Sequence, residues 1–243
     1  MGNLLLRGML AGLLAGFLAF GFAKVFGEPQ VDRAIGFEEQ AAKAKGEVEE
    51  PEIVSRAVQA SVGLFTGVTV VGTAMGGLFA LAFAFVNGRL LQVPPRAAAL
   101  IVAAVGFIVI YVVPDLKYPA NPPAVGSPET IGYRTQLYFG MIVFSLAALA
   151  IAISAGRQFV ASWGTWNAVL LGAGIYIALT SLAGYVLPTI NEVPEGFPAD
   201  LLWNFRIVAF GIQGILWTAI ALIFGASLER ERSLIASRTR EAH

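Results

Sequence analysis

The sequence predicts an all-α integral membrane protein, a bundle of six transmembrane helices with both termini in the cytoplasm. Hydrophobic residues make up 57% of the chain and charged residues only 13%, whereas soluble domains are about 25% charged. The apolar residues are gathered in six long runs, separated by charged or proline-rich segments. A helix rises about 1.5 Å per residue and the hydrocarbon core is about 30 Å thick, so each run is long enough, or nearly so, to cross a bilayer.

The predicted spans are joined by short turns on one side of the membrane and by longer polar loops on the other. The spans cover residues 4–26, 57–86, 97–114, 135–156, 165–187 and 204–228. The outer loops cover residues 27–56, 115–134 and 188–203. We expect the whole chain, 1–243, to form a single polytopic membrane domain.

The first span resembles a signal peptide in one feature: a positively charged residue, Arg7, precedes an apolar segment. Residues 24–28 offer no small-residue cleavage site, so we expect this helix to be retained. The orientation follows from the short turns, which carry Arg89, Arg96 and Arg157. Positively charged short loops stay in the cytoplasm, which predicts that both termini lie there too.

Glycines recur along the first two spans. In a bilayer, residues without a side chain let two helix backbones approach closely, so we expect these glycines to pack helices together rather than to line a pore. The predicted packing glycines are Gly8, Gly12 and Gly16 in the first span and Gly63, Gly67, Gly72 and Gly76 in the second.

The outer loops are of two kinds. The first is rich in Glu, Ala and Lys, and its residues 37–50 lack an apolar stripe, which fits either a solvated helix or a flexible segment. The second has prolines at positions 119, 122, 123 and 128, and the third has Pro194 and Pro198. Because proline fixes φ and disfavours helix in the residue before it, we expect the second and third loops to be extended and comparatively rigid.

Near the end of each outer loop stand a proline and an acid, and an arginine follows one to two helical turns later, where the next helix begins. The proline and the acid suit a helix N-terminus. The first turn of a helix does not need the N–H that proline lacks, and the positive end of the helix dipole favours a negative charge. The arginine does not suit it, so we expect the arginine to bind a carboxylate. This cluster is either a structural ion-pair anchor or a cation vestibule, and its predicted members are Glu129, Arg134, Asp200 and Arg206.

Several classes of function are disfavoured by the residues that the chain lacks. It has no cysteine and one histidine, His243, which argues against thiolate chemistry, iron–sulfur clusters and histidine relays in the membrane. There is no phosphate-binding loop ending in Gly-Lys-Ser/Thr, and the spans hold no Asp or Glu for acid–base catalysis. We therefore expect neither an enzyme nor a bound cofactor, and the formal net charge of zero gives no reason to expect a nucleic-acid partner.

What remains is a route for a cation. The polar groups predicted to lie in the membrane are hydroxyls, amides and thioethers, which would hold a metal weakly and which also serve as interhelical contacts or core filling. They are Thr66, Thr69, Thr73, Gln136, Ser145, Asn167, Thr180, Ser181, Gln213, Met9, Met75 and Met141. On the outer side the candidate metal ligands are Asp115, Glu192 and Asp200, and the acidic loops would raise the local concentration of cations.

Several segments resemble the CbtA family of proposed cobalt transporter subunits, in its actinobacterial-type branch. The similar segments are residues 54–67 (VSRAVQASVGLFTG), 76–84 (GGLFALAFA), 117–126 (KYPANPPAVG), 191–200 (NEVPEGFPAD) and 202–206 (LWNFR). The proline-rich segment and the last two segments are specific to the family. The resemblance runs over nearly the whole chain.

The resemblance implies a permease subunit of the inner (plasma) membrane that takes up cobalt, or another divalent cation, for cobalamin metabolism. Besides membrane lipid, it implies a small single-helix companion subunit with a histidine-rich end as partner. Many similar proteins carry a histidine-rich stretch in the first outer loop, and residues 39–52 contain none, so that feature is missing or replaced by carboxylates. The alternative is a structural or assembly subunit of a larger membrane complex, with no transport activity of its own.

Overall fold

The computed structural model describes residues 2–46 and 53–241, with side chains as far as Arg230. These residues form five long helices and no β-strand: α1 (Gly2–Lys45), α2 (Arg56–Val86), α3 (Pro95–Lys117), α4 (Ile131–Val186) and α5 (Ala199–Glu241). Each helix contains a segment that is long and apolar enough to cross a membrane. The predicted all-α class is therefore confirmed, and the helices fit a membrane bundle.

Helix α1 is longer than the first predicted span. It continues past residue 26 through a π-helical turn, Ala23–Gly27, into the segment Glu28–Lys45, which is rich in the strong helix formers Glu, Gln, Ala and Lys. The helix ends at Gly46, which takes a left-handed φ of 72° and donates its N–H to carbonyls of the last turn. Of the two interpretations of residues 37–50, the helical one therefore applies up to Lys45, and residues 47–52 lie outside the described part of the chain.

Helices α1 and α2 meet backbone to backbone through glycines. A Cβ atom built on Gly12 would lie 2.9 Å from the carbonyl carbon of Gly72, and one built on Gly16 would lie 3.0 Å from the Cα of Thr69. Gly8 faces Gly76 in the same way. Five of the glycines singled out in the sequence thus lie where the two helices touch.

Gly63 and Gly67 lie elsewhere. Within the described residues no atom comes within 4 Å of a Cβ built on Gly67, and one built on Gly63 meets only the carbonyl of Val58, in its own helix, at 3.4 Å. The prediction that these two glycines pack against another helix is therefore wrong. The reason is helical phase: Gly67 precedes Gly72 by five residues, which places it about 140° around the helix from the contact face.

Helix α4 is interrupted at Gly164. This glycine has φ 76° and ψ 162°, a conformation outside the helical region that residues with a Cβ rarely adopt. The two arms on either side pack antiparallel, because Gly156 lies against Ala168 and Gly172 lies against Ala152. The fourth and fifth predicted spans, 135–156 and 165–187, are thus the two arms of one helical hairpin.

The chain divides into two compact units, and the boundary runs through α3. The first unit contains Met1–Val105 and Pro198–His243, and the second contains Gly106–Phe197. In the first unit the ring of Phe224 lies edge-on to Phe79 and Phe83, with centroids 5.4 and 5.1 Å apart. Each such pair contributes about 1 kcal/mol beyond the area that it buries, which helps to fix α5 against α2.

Large apolar side chains cover the outward faces of the helices. Leu18 in α1, Leu78 in α2 and Trp166 in α4 are 57%, 66% and 74% exposed. Burying a side chain of this size is worth about 1.5–3 kcal/mol, so leaving many of them in water would be unfavourable. Lipid tails are as apolar as these side chains, and the pattern suits a multi-pass membrane protein.

Candidate functional site

An ion-pair cluster joins α1 and α2 in the first unit. Glu28 and Asp32 are four residues apart on α1 and therefore lie on the same face of that helix. The guanidinium of Arg56, at the start of α2, donates to both: its Nη2 bonds the Glu28 carboxylate, and its Nε lies 2.9 Å from Oδ1 of Asp32. The Glu28 side chain is only 11% exposed, so the arginine neutralises a carboxylate that is nearly out of reach of water.

Two further contacts extend this cluster. Lys24 donates to the carbonyl of Ala60 over 2.9 Å, which adds a second link between α1 and α2. Arg33 forms an ion pair of 2.9 Å with Asp200, so α1 is also joined to the start of α5. Both side chains of the Arg33–Asp200 pair are about half exposed, and an ion pair so open to water is weak.

The position of Asp200 differs from the sequence prediction. Asp200 was expected in a cluster with Arg134 and Arg206, but its ion pair is with Arg33 from the extended part of α1. Arg206 lies in α5 and is partly buried. The extension of α1 explains the difference, because it brings a basic residue of the first predicted loop alongside the N-terminus of α5.

A separate cluster lies in the second unit, at the end that holds residues 115–130 and 187–197, called here its loop end. Nε of Arg134 lies 3.4 Å from Oε2 of Glu192, and the same carboxylate oxygen accepts the N–H of Ser127 at 2.8 Å. Arg134 also donates to the carbonyl of Ser127. Gly126 packs directly on this guanidinium and has a φ of 119°, so a side chain at that position would displace the arginine.

Other contacts join the two proline-rich loops. Lys117 donates to the hydroxyl of Thr189 at 3.1 Å, and the Tyr118 hydroxyl donates to the carbonyl of Pro188 at 2.9 Å.

Two acids of the second loop make local contacts. Asp115 accepts the N–H of Ala120 at 3.2 Å. Glu129 is exposed in the single turn of 3₁₀-helix that leads into α4, and its backbone N–H bonds the Ser127 hydroxyl.

Each of the three candidate metal ligands already contacts another group of the protein. Asp115 binds a loop amide, Glu192 binds Arg134 and Ser127, and Asp200 binds Arg33. Among residues 2–46 and 53–241 there is no group of three His, Cys, Asp or Glu side chains that could hold a metal ion. In the part of the chain that the structure describes, the acidic loops therefore offer negative charge rather than a preformed metal centre.

The contacts of Glu192 favour its ionised form. Its pKa is lowered from the ordinary value, first by a hydrogen bond from the Thr130 hydroxyl, then by the Ser127 N–H, and also by the charge of Arg134. All three interactions favour the ionised carboxylate. Glu192 is therefore a charged structural centre for the loop end at neutral pH.

Lowering the pH should loosen this loop end before it affects the helices. A carboxylate with a depressed folded-state pKa contributes stability that is fully present above its unfolded pKa, about 4.3 for glutamate, and is lost as pH falls through the folded value. We expect the hydrogen-exchange protection of the Ser127 amide to fall in that window, and a Glu192→Gln variant to show a flatter pH dependence. Identical pH dependence in the two proteins, measured by hydrogen–deuterium exchange with mass spectrometry, would contradict this assignment.

The interior of the α4 hairpin contains a polar pair, Ser145 and Tyr176, and only one of the two was singled out in the sequence. The hydroxyls of Ser145 and Tyr176 lie 2.7 Å apart, and Ser145 is fully buried. Ser145 is among the polar residues predicted to lie in the membrane, whereas Tyr176 is not. Aligning the predicted spans 135–156 and 165–187 antiparallel, with residue 156 beside residue 165, would have brought both residues to the same level, and that signal was present in the sequence.

The family model described as probable cobalt transporter subunit (CbtA) matches residues 1–229, nearly the whole chain. The chain has no significant match among the curated proteins or the solved structures.

Proposed function

Because this chain belongs to the CbtA family of probable cobalt transporter subunits, we propose that it is the permease subunit through which the cation crosses the inner membrane. The family match over residues 1–229 carries the proposal, because it includes all five helices up to the last residues of α5. Cobalt, or a closely related divalent cation, is then the substrate, and cobalamin metabolism is the process that it supplies. The five long apolar helices suit this role.

The proposed topology has six crossings, because the hairpin of α4 counts as two. Each arm of α4 exceeds 20 residues and is therefore long enough to cross the hydrocarbon core alone. Arg89 lies in the connection between α2 and α3, Arg96 lies in the first turn of α3, and Arg157 lies in the first arm of α4, seven residues before Gly164. Positive charge near these connections favours the cytoplasm for that side and for both termini.

Reporter fusions test this topology. A reporter fused after His243 and one inserted between Arg89 and Arg96 should both signal the cytoplasm, and one inserted at Gly46, where α1 ends, should signal the opposite side. An external signal from the fusion after His243 would mean an odd number of crossings. The hairpin assignment of α4 would then be the first to be withdrawn.

Each unit carries acidic side chains that suit the approach of a cation. They are Glu28, Asp32 and Asp200 in the first unit and Glu129 and Glu192 in the second, and the exposed ones attract cations over about one Debye length. None of these acids forms a strong metal site, so the proposal includes the single-helix companion, whose histidine-rich end would capture the metal and deliver it. Histidine nitrogen is a better ligand for cobalt than exposed carboxylate oxygen.

Uptake of radiolabelled cobalt tests the permease role. The purified chain is reconstituted in lipid vesicles, alone and with the companion subunit, and we expect cobalt entry above that of protein-free vesicles, with competition by nickel and little by magnesium. A Glu192→Gln variant, in which the loop end loses its charged centre, should show reduced uptake at low cobalt concentration in the same assay. Entry at the protein-free rate in both reconstitutions would reject the permease role.

The second candidate function is a structural or assembly subunit of a larger membrane complex. It is favoured by the lack of a preformed metal cluster among the described residues. Stoichiometric co-purification with a large complex, together with unchanged cobalt entry when the chain is removed from that complex, would establish this alternative.

A further inference from the structure

The turn of α4, residues 157–167, forms one end of the helical hairpin and is called here the hairpin tip. The side chains of Arg157, Trp163 and Trp166 are all exposed there, the two tryptophans by 52% and 74%. The ring of Phe159 lies against that of Trp163, with centroids 4.7 Å apart, which extends the aromatic surface along the first arm. The hairpin tip therefore presents a positive charge beside large aromatic side chains.

The hairpin tip carries no negative charge. Between Glu129 and Glu192 the sequence contains neither Asp nor Glu. Arg134, in the same helix, pairs with Glu192. Arg157, in contrast, forms no ion pair with any residue that the structure describes. Its guanidinium is thus available to an anion from outside the chain.

The other polar groups of the hairpin tip can donate hydrogen bonds. They are the indole N–H groups of the two tryptophans, the amide of Gln158 and the hydroxyl of Thr165, all on exposed residues. Phosphate oxygens accept such bonds, and a guanidinium can bind a phosphate through two parallel N–H groups. A set of donors without a carboxylate therefore suits a phosphate group.

The spacing of charges places Arg157 at a surface of the bilayer. Residues 135–156 carry no charge and separate Arg134 from Arg157. These 22 residues make about 33 Å of helix, close to the thickness of the hydrocarbon core, which is about 30 Å. Since Arg134 lies at the loop end with Glu192, Arg157 reaches the opposite surface.

The second arm of α4 indicates the same depth. Trp166 and Tyr185, which is 89% exposed, are 19 positions apart on this arm, or about 28 Å. Tryptophan and tyrosine are enriched at the two surfaces of a bilayer, where their rings sit at the level of the headgroups. Because Gly156 lies against Ala168, Arg157 and Trp166 come to a similar level on the two arms.

Neither water nor hydrocarbon suits this surface. Exposed aromatic rings are unfavourable in water, and the charge of Arg157 is unfavourable among lipid tails. The headgroup region accommodates both, because the body of each indole ring faces the tails while its N–H and the guanidinium meet phosphates. The composition of the hairpin tip and its depth thus indicate the same surroundings.

We propose that the hairpin tip is a binding surface for the headgroups of anionic phospholipids. Arg157 pairs with a lipid phosphate, and Trp163 and Trp166 sit at headgroup level on either side of the turn. The lipid is anionic because the hairpin tip offers a positive charge and no acid that would repel it. This assignment rests on the two bilayer crossings of α4 in the proposed topology, and it names the class of lipid that the turn between them binds.

Quenching of tryptophan fluorescence by brominated lipids tests this surface. Replacing Trp163, Trp203 and Trp217 with phenylalanine leaves Trp166 as the only tryptophan. The protein is reconstituted in vesicles of phosphatidylcholine and phosphatidylglycerol, and one of the two lipids carries bromine at a time. We expect phosphatidylglycerol to bind beside Trp166 about fivefold more tightly than phosphatidylcholine, the factor that one arginine contributes at an anionic surface. Bromines near the headgroup should quench more than bromines near the chain ends.

A second reporter covers the case in which Trp217→Phe does not fold. Trp217 is 7% exposed, so a protein that keeps it and lacks only Trp163 and Trp203 adds a constant emission to that of Trp166. The preference between the two lipids is then read from the part of the emission that changes.

Two arginine variants show whether the charge of Arg157 causes the preference. Arg157→Gln should bind the two lipids equally, and high salt should reduce the preference of the protein that keeps Arg157. Arg89→Gln makes the same change in the first unit, where Arg89 donates to the carbonyls of Ala84 and Phe85, and it should keep the preference at Trp166. Both variants should retain the Tm of the reporter protein.

Three results would overturn the lipid surface. Equal quenching by the two lipids when Arg157 is present would show that the hairpin tip does not select anionic lipid. A preference that survives Arg157→Gln would show that the arginine does not bind the phosphate. No quenching by either lipid would place Trp166 against protein or water instead.

The lipid surface and the permease fail in different ways. Cobalt entry into vesicles together with equal quenching by the two lipids would reject the lipid surface and leave the permease. A preference of Trp166 for phosphatidylglycerol without cobalt entry would reject the permease and leave the lipid surface.

Discussion

Replacing Gly12 with alanine should destabilise the protein by about 1–3 kcal/mol, the usual effect of overpacking. The added Cβ would lie 2.9 Å from the carbonyl carbon of Gly72 and equally close to the Cα of Gly76. Both neighbours are backbone atoms, so no side chain can turn away to make room. The helices must separate, and the Gly8 and Gly16 contacts on the same face would loosen with them.

Gly67→Ala is the matched control for this change. It makes the same substitution in the partner helix at a position with open space among the described residues. Since alanine favours helix over glycine by about 1 kcal/mol, this variant should be as stable as the wild type or slightly more stable. The measurement is thermal unfolding of the purified protein in detergent. Similar losses of Tm in both variants would mean that the α1–α2 contact is not where the structure places it.

Arg56→Ala should cause the second large loss of stability. Removing this guanidinium leaves the Glu28 carboxylate, 11% exposed, without the charge that neutralises it, and breaking a buried pair in this way costs about 3–5 kcal/mol. Arg56 itself is a quarter exposed, so water can reach part of the vacated space, and we expect a loss of about 3 kcal/mol, at the lower end of that range.

Two further variants define the origin of that loss. Arg33→Ala removes an ion pair whose side chains are 49% and 64% exposed, and it should cost much less than Arg56→Ala. Adding Glu28→Gln to Arg56→Ala removes the unpaired charge, and much of the lost stability should return. If the double variant is no more stable than Arg56→Ala, the effect of Arg56 comes from packing rather than from charge.

The helices themselves could be predicted because lipid imposes a simple rule on sequence. A segment that crosses the hydrocarbon core must satisfy its backbone internally and carry few charges, so a run such as 57–86 is visible without any knowledge of its neighbours. A turn between residues 156 and 165 was predicted in the same way, from the end of one apolar run and the start of the next, but Gly164 was not singled out. Five of the seven singled-out glycines also lie at a helix contact.

Contacts between distant segments were harder to predict, because they depend on where a helix ends and on its phase. The sequence indicates that Arg134 needs a carboxylate but cannot choose among the acids of the outer loops, and the folded loops bring it to Glu192. Asp200 pairs with Arg33 only because α1 continues beyond residue 26. Gly67 is a residue type that suits helix packing, but it lies on a different side of α2 from the contact. A contact between two helices involves only one stripe of each helix surface.

In the proposed six-crossing topology, the reversal at Gly164 also determines the side of the membrane on which the rest of the chain lies. Without that turn α4 would be a single continuous rod of about 84 Å, at 1.5 Å per residue over its 56 residues, far longer than a bilayer is thick. In that topology the two arms of α4 cross the bilayer as a pair, so α5 would enter the bilayer from the same side as α4. One backbone conformation at one glycine would then set whether the number of crossings is even or odd, and with it the side of the membrane on which the C-terminal end of α5 could meet other proteins.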